Sequence, residues 1–132
     1  MMEGPVEKLV QLRLQQAKES LAEAKALFDV NLWRGTINRS YYAMFYAVLA
    51  LAVQRQAITS KHSGLITFFD REFVKPGIFP KELSKAIHLA FQRRQEHDYG
   101  DVYAVSQEEA QQAYEEAHSF VDAIAQYFDS KS

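Results

Sequence analysis

With 132 residues, 48% of them hydrophobic and 24% charged, the chain has the composition of one globular domain and not of a disordered or fibrous polymer. It has no cysteine, which excludes a disulfide scaffold, a thiolate metal site and a cysteine nucleophile. The net charge of −2 hides a segregation. Residues 1–32 hold 4 basic and 5 acidic side chains, residues 33–94 hold 10 and 3, and residues 95–132 hold 1 and 9.

Pro5 precedes the first periodic segment. Val10, Leu14, Ala17, Leu21, Ala24 and Phe28 recur at three- and four-residue steps, so a first helix is predicted over about 7–30 with one apolar stripe. A second helix, about 34–56, is apolar nearly all round between Tyr41 and Val53 and should be the most buried element. That run of 13 residues falls short of the ~20 that cross a bilayer.

A third helix is predicted from near Ser60, a good N-cap type, to about Val74, with Leu65, Phe68, Phe69 and Phe73 inward. Pro76, Gly77 and Pro80 interrupt the chain. A fourth helix then runs from Pro80 to about Gln95, its core face Leu83, Ile87 and Phe91 or Ala90, and Gly100 follows it. Ser106-Gln107-Glu108-Glu109 is a capping box that opens a fifth helix reaching about Phe128. The expected fold is all-α: an antiparallel up-and-down bundle of four to five helices, one domain over 1–132 with its core at about 7–128. No secretory h-region is visible between Met1 and Lys8, so a cytoplasmic, non-membrane protein is expected.

Two places could carry chemistry. Arg39 sits at the edge of the apolar second helix, where a guanidinium must reach solvent, a ligand anion or a carboxylate on a neighbouring helix. At the end of helix four, Arg93, Arg94, His97, Asp98 and Tyr99 crowd one polar stretch, read as a helix end running into a loop. Arginine near a helix C-terminus also suits the macrodipole, and a histidine there also serves as a cap. In a catalytic reading, Arg93 or Arg94 would hold a phosphate and His97 would move a proton, the two roles RNA transesterification needs. His62, in the first turn of helix three, should face solvent or the neighbourhood of Arg39; His88 lies amid mixed polarity and His118 on an acidic, exposed face. No H-x-x-x-H or H-E-x-x-H pair, phosphate loop or G-x-S-x-G elbow occurs, so no metal, cofactor or serine-hydrolase chemistry is expected.

Arg39-Ser40-Tyr41-Tyr42-Ala43-Met44-Phe45, Lys61-His62-Ser63-Gly64, Phe69-Asp70-Arg71-Glu72-Phe73-Val74-Lys75-Pro76-Gly77 and Arg94-Gln95-Glu96-His97-Asp98-Tyr99 together resemble the HEPN family, in particular its small stand-alone prokaryotic members. The resemblance covers about 7–128. It implies a helical bundle that dimerises, and in many members a metal-independent ribonuclease of toxin–antitoxin or defence systems with an R-x(4–6)-H motif assembled from two protomers. It also implies a minimal nucleotidyltransferase as neighbour and partner, which in some pairs adenylylates the tyrosine of R-x(4)-H-x-Y.

Here Arg93 to His97 is R-x(3)-H, Gln92 stands at the R-x(4)-H position, and His97-Asp98-Tyr99 keeps the H-x-Y part. The resemblance thus carries over Arg93, Arg94 and His97 as nearest equivalents of the catalytic motif. Tyr99 becomes the modification site, and Arg39, Asp98 and Tyr99 the nucleotide- or partner-binding positions.

The function expected first is a helical module that binds a nucleotidyltransferase partner or a nucleotide, as a homodimer. The alternatives are an RNase toxin and a structural homodimer without catalysis. The basic middle of the chain suits RNA or a nucleotide, and equally suits solvated helix faces.

Overall fold

The computed structural model describes residues 4–57, 59, 61–96 and 104–131, together with the helical backbone of residues 97–99. Five helices follow in order: α1 (Pro5–Asp29), α2 (Trp33–Gln54), α3 (His62–Phe69), α4 (Lys81–Tyr99) and α5 (Gln107–Lys131). Among the described residues there is no strand, and no helix long and apolar enough to cross a membrane. The all-α bundle expected from the 3.6-residue periodicity is what forms.

α2 is the central post. It packs against α1, α3, α4 and α5, and its buried residues include Tyr41, Ala43, Met44, Phe45, Ala47, Val48, Ala50, Leu51 and Ala52. Alanine on several sides lets neighbouring backbones come close, while Met44, Val48 and Leu51 supply the volume. The stripe of α1 (Val10, Leu14, Ala17, Leu21, Ala24) and that of α5 (Ala110, Ala113, Ala117, Phe120, Val121, Ile124) close on it. An aromatic group of Phe69, Phe73, Phe79, Phe120 and Tyr127 fills the space under α3, with ring centroids 5.3–6.2 Å apart.

The ends of the helices have local causes. α1 closes with Leu32 N–H on the Leu27 carbonyl (2.9 Å) and Asn31 N–H on that of Phe28 (3.0 Å), around a left-handed Asn31 (φ 66°). α2 ends in the same way. Ala57 N–H reaches the Ala52 carbonyl and Gln56 N–H that of Val53, around a left-handed Gln56 (φ 55°). The predicted capping box contributes a 3.0 Å bond from Glu109 N–H to Ser106 Oγ.

Three boundaries differ from the sequence reading. α3 starts at His62, with Lys61 at the N-cap position; Ser60 lies outside the described residues. The helix does not run evenly to Val74. Asp70–Val74 forms a wide π-turn, with Lys75 N–H on the Asp70 carbonyl at 2.8 Å. α4 continues past Gln95 to Tyr99, because its polar last turns are anchored: Gln92 bonds Glu96 (3.2 Å), and Arg93 and Arg94 each find partners on other helices.

Candidate functional site

The second helix places aromatic side chains at three- and four-residue steps from Arg39: Tyr42, then Tyr46, with Tyr41 and Phe45 on the adjoining stripe. Tyr41 is buried and Tyr42 half-buried. His62, at the first turn of α3, slides in between. Its ring stacks on Phe45 with centroids 4.1 Å apart and planes at 14°, and Nδ1 lies 2.6 Å from the Tyr41 hydroxyl. Arg94 arrives from α4. Its guanidinium carbon sits 5.4 Å from the ring centroids of both Tyr41 and Tyr42, and Nη2 donates to the Tyr42 hydroxyl at 3.2 Å. Arg39 also packs on the Tyr42 ring, at 4.8 Å, and donates to Glu23 of α1 at 3.3 Å. Tyr42 is therefore contacted by two guanidinium groups.

Burial raises the Tyr41 pKa, so its phenol stays protonated and donates to His62 Nδ1. Burial, and secondarily the charge of Arg94, lowers the His62 pKa and disfavours imidazolium. His62 is thus held neutral with its proton on Nε2. Chemically, the cluster joins cationic donors for a phosphate, a half-open tyrosine face for a base, and a neutral imidazole.

Arg93 and Arg94 are neighbours in sequence but leave α4 about 100° apart, and the structure separates them. Arg93 is only 7% exposed and donates to Glu116 of α5 at 3.1 Å. Arg94 joins Tyr41 and Tyr42 on α2. Of the three destinations open to it, Arg39 reaches a carboxylate on a neighbouring helix, Glu23 of α1, and adds a contact to Tyr42. The helical backbone through Tyr99 sets His97 one turn beyond Arg93, and Asp98 one turn beyond Arg94. The side chains of His97, Asp98 and Tyr99 lie outside the described residues.

Tyr41, Tyr42 and His62 stand in the motifs that carry the resemblance but were not among the expected site residues. The Tyr-Tyr pair one turn after Arg39 was the available signal for the first two. For His62 the signal was its expected place facing solvent or the neighbourhood of Arg39 and its Lys61-His62-Ser63-Gly64 motif; its contact with Tyr41, 21 residues away, was not foreseen. His88 and His118 are paired elsewhere, His88 Nε2 with Asp70 (2.7 Å) and His118 with Asp122 (3.3 Å). Within the basic middle of the chain, Arg55 and Arg71 meet Glu72, Arg39 meets Glu23, and Arg93 meets Glu116.

Known proteins extend this picture. A protein of Thermotoga maritima called "UPF0332 protein" is 38% identical over 118 residues, 89% of each chain. A protein of Methanocaldococcus jannaschii named "Putative toxin MJ0142" is 31% identical over 119 residues, 90% of this chain and 81% of its own. Among solved structures, TT1696 of Thermus thermophilus superposes with a TM-score of 0.75 at 17% identity, over 89% of this chain and 96% of that one, which is a likeness of fold. The sequence profile of the HEPN domain matches residues 10–127, nearly the whole bundle and every described residue of the cluster above. This chain belongs to the HEPN domain family.

Proposed function

We propose that this chain is a toxin-type HEPN module whose α2–α3–α4 cluster receives a nucleotide, either free or held by a nucleotidyltransferase partner of the toxin–antitoxin or defence kind. The observation that carries the reading is the placement of Arg94 against Tyr41 and the half-open ring of Tyr42, with Arg39 on the same ring. A guanidinium beside an aromatic face suits the phosphate and the base of one nucleotide together. The relatives named as toxins support the toxin part. Isothermal titration of the purified chain with AMP, ATP and a short single-stranded RNA tests the proposal. Arg94→Ala and Tyr42→Ala should each weaken binding about tenfold or more, the loss of one charged contact or one stacked base. Equal affinity in both variants would refute the site.

A second reading, metal-independent RNA cleavage, is favoured by one observation: a neutral imidazole, His62, beside a guanidinium. In that reaction the 2′-oxygen attacks phosphorus and the bond to the 5′-oxygen breaks, leaving a cyclic phosphate and a 5′-hydroxyl. Arg94 and the Nε2–H of His62 would stabilise the phosphorane charge, and His97 would take the 2′-hydroxyl proton and pass it to the departing 5′-oxygen. Incubation of end-labelled RNA with EDTA, comparing wild type with His97→Ala and His62→Ala, tests it. Cleavage abolished by either variant supports the reading; an intact RNA with wild type rejects it.

A further inference from the structure

Asn38 stands one turn before Tyr42 on the same stripe of α2 and is half-buried. Arg39 fixes its carboxamide: Arg39 Nε–H donates to Asn38 Oδ1 at 3.4 Å. A guanidinium can only donate, so the amide oxygen is turned to Arg39 and the amide NH2 is turned away from it.

The acceptors of the cluster are already engaged from inside the protein. Asn38 Oδ1 and Glu23 Oε1 accept from Arg39, the Tyr42 hydroxyl accepts from Arg94, and His62 Nδ1 accepts from Tyr41. The second oxygen of Glu23 belongs to a carboxylate on α1 that Arg39 already neutralises. Among the described residues, what the cluster offers a ligand is therefore donors: the Asn38 amide, the N–H groups of Arg39, the hydroxyl hydrogen of Tyr42 and Nε2–H of His62. Arg94 likewise can only donate.

Donors of this kind suit phosphate oxygens, and they also sort bases. On the edge that carries N7 in purines, guanine presents two acceptors, N7 and O6, whereas adenine presents the N6 amino group beside N7. Uracil presents its O4 and cytosine its N4 amino group. An amino group facing the cluster would set N–H against N–H and leave both unpaired. We infer that the cluster, on the nucleotide-binding reading above, prefers keto bases, guanine and uracil, to the amino bases adenine and cytosine, and that Asn38 reads the difference. The guanidinium groups are the natural partners of the phosphate, and the Asn38 amide is the neutral donor left for the base. Its backbone lies about 6 Å along the helix axis from that of Tyr42, within reach of the edge of a base laid on the Tyr42 ring. AMP binds the same spot, more weakly than GMP.

The test is isothermal titration of the full chain with GMP, AMP, UMP and CMP, with circular dichroism confirming that each variant keeps its helicity. Wild type should bind GMP about tenfold more tightly than AMP, and UMP more tightly than CMP by a similar factor. Asn38→Asp puts an acceptor of the same shape in place of the NH2 group. Its charge should weaken all four ligands, but the ratio of GMP to AMP affinity should fall to about one or below. Asn38→Ala, which removes the amide, should also bring the ratio near one. Arg94→Ala should weaken all four alike and keep the ratio. Equal binding of GMP and AMP by wild type, or a preference that survives both Asn38 variants, would overturn the inference and leave the nucleotide site standing. Binding of none of the four would overturn the nucleotide reading and the inference with it.

Discussion

The hydroxyl of Tyr41 lies 2.6 Å from Nδ1 of His62, joining the middle of α2 to the first turn of α3. Arg94 of α4 packs on the rings of Tyr41 and Tyr42, so three helices share one polar spot in an otherwise apolar interior. The spot resolves a conflict. A guanidinium, a phenol and an imidazole are costly to bury singly; here the Tyr41 phenol donates to the imidazole, the guanidinium donates to the Tyr42 hydroxyl, and the Tyr42 face stays half-open.

The first consequence is a pH dependence. Burial, reinforced by Arg94, holds the His62 pKa below its ordinary value of about 6.5. Below that value the unfolded chain binds a proton that the native chain resists, so stability rises with pH. The contribution of His62 is complete above about 6.5 and is lost as pH falls through its lower folded value. Thermal melts of wild type and His62→Gln from neutral pH down to about pH 5 should converge as the solution becomes more acidic. Parallel curves would show that His62 is not held neutral by the fold.

Adjacent arginines should separate into a stability residue and a binding residue. Arg93→Met keeps the stem but removes the charged bond to Glu116, and should cost about 1–2 kcal/mol in urea unfolding. Nucleotide affinity should hold. Arg94→Met should lose nucleotide affinity while costing less stability than Arg93→Met. The reverse pattern would place the binding cation on the α5 side of α4.

At the end of α2, Gln56 adopts a left-handed backbone that glycine adopts without steric cost. Gln56→Gly should therefore stabilise the chain, by about 0.5–1 kcal/mol, in spite of the added freedom of the unfolded state. A destabilised Gln56→Gly variant would mean that the Gln56 side chain contributes more than the backbone strain removes.

What could be read from the sequence followed from local rules. The apolarity of Tyr41 to Val53 announced the central helix, and Ser106 with Glu109 announced the start of α5. The π-turn at Asp70–Val74 leaves no trace in composition or spacing, since it inserts one residue into an otherwise regular helical pattern. The last turns of α4 look like a loop because Gln92 to Asp98 are polar. They are helical because α2 and α5 anchor Arg94 and Arg93. The site was half legible for the same reason. Arg39 and Arg94 stand out as charges near apolar runs, whereas His62 joins them only through tertiary packing that no periodicity reports.

The central claim is that Arg94, Tyr42 and His62 form one ligand-binding spot. The most direct measurement is a titration of isotope-labelled protein with AMP, followed through the imidazole resonances of His62 and the guanidinium Nε–H resonances of Arg93 and Arg94. His62, stacked on Phe45, should start from ring-current-shifted positions. The account predicts that AMP moves the His62 and Arg94 signals together along one binding curve while Arg93 stays still. Signals of His62 and Arg94 that do not move, in a titration that saturates elsewhere on the protein or nowhere, would contradict it.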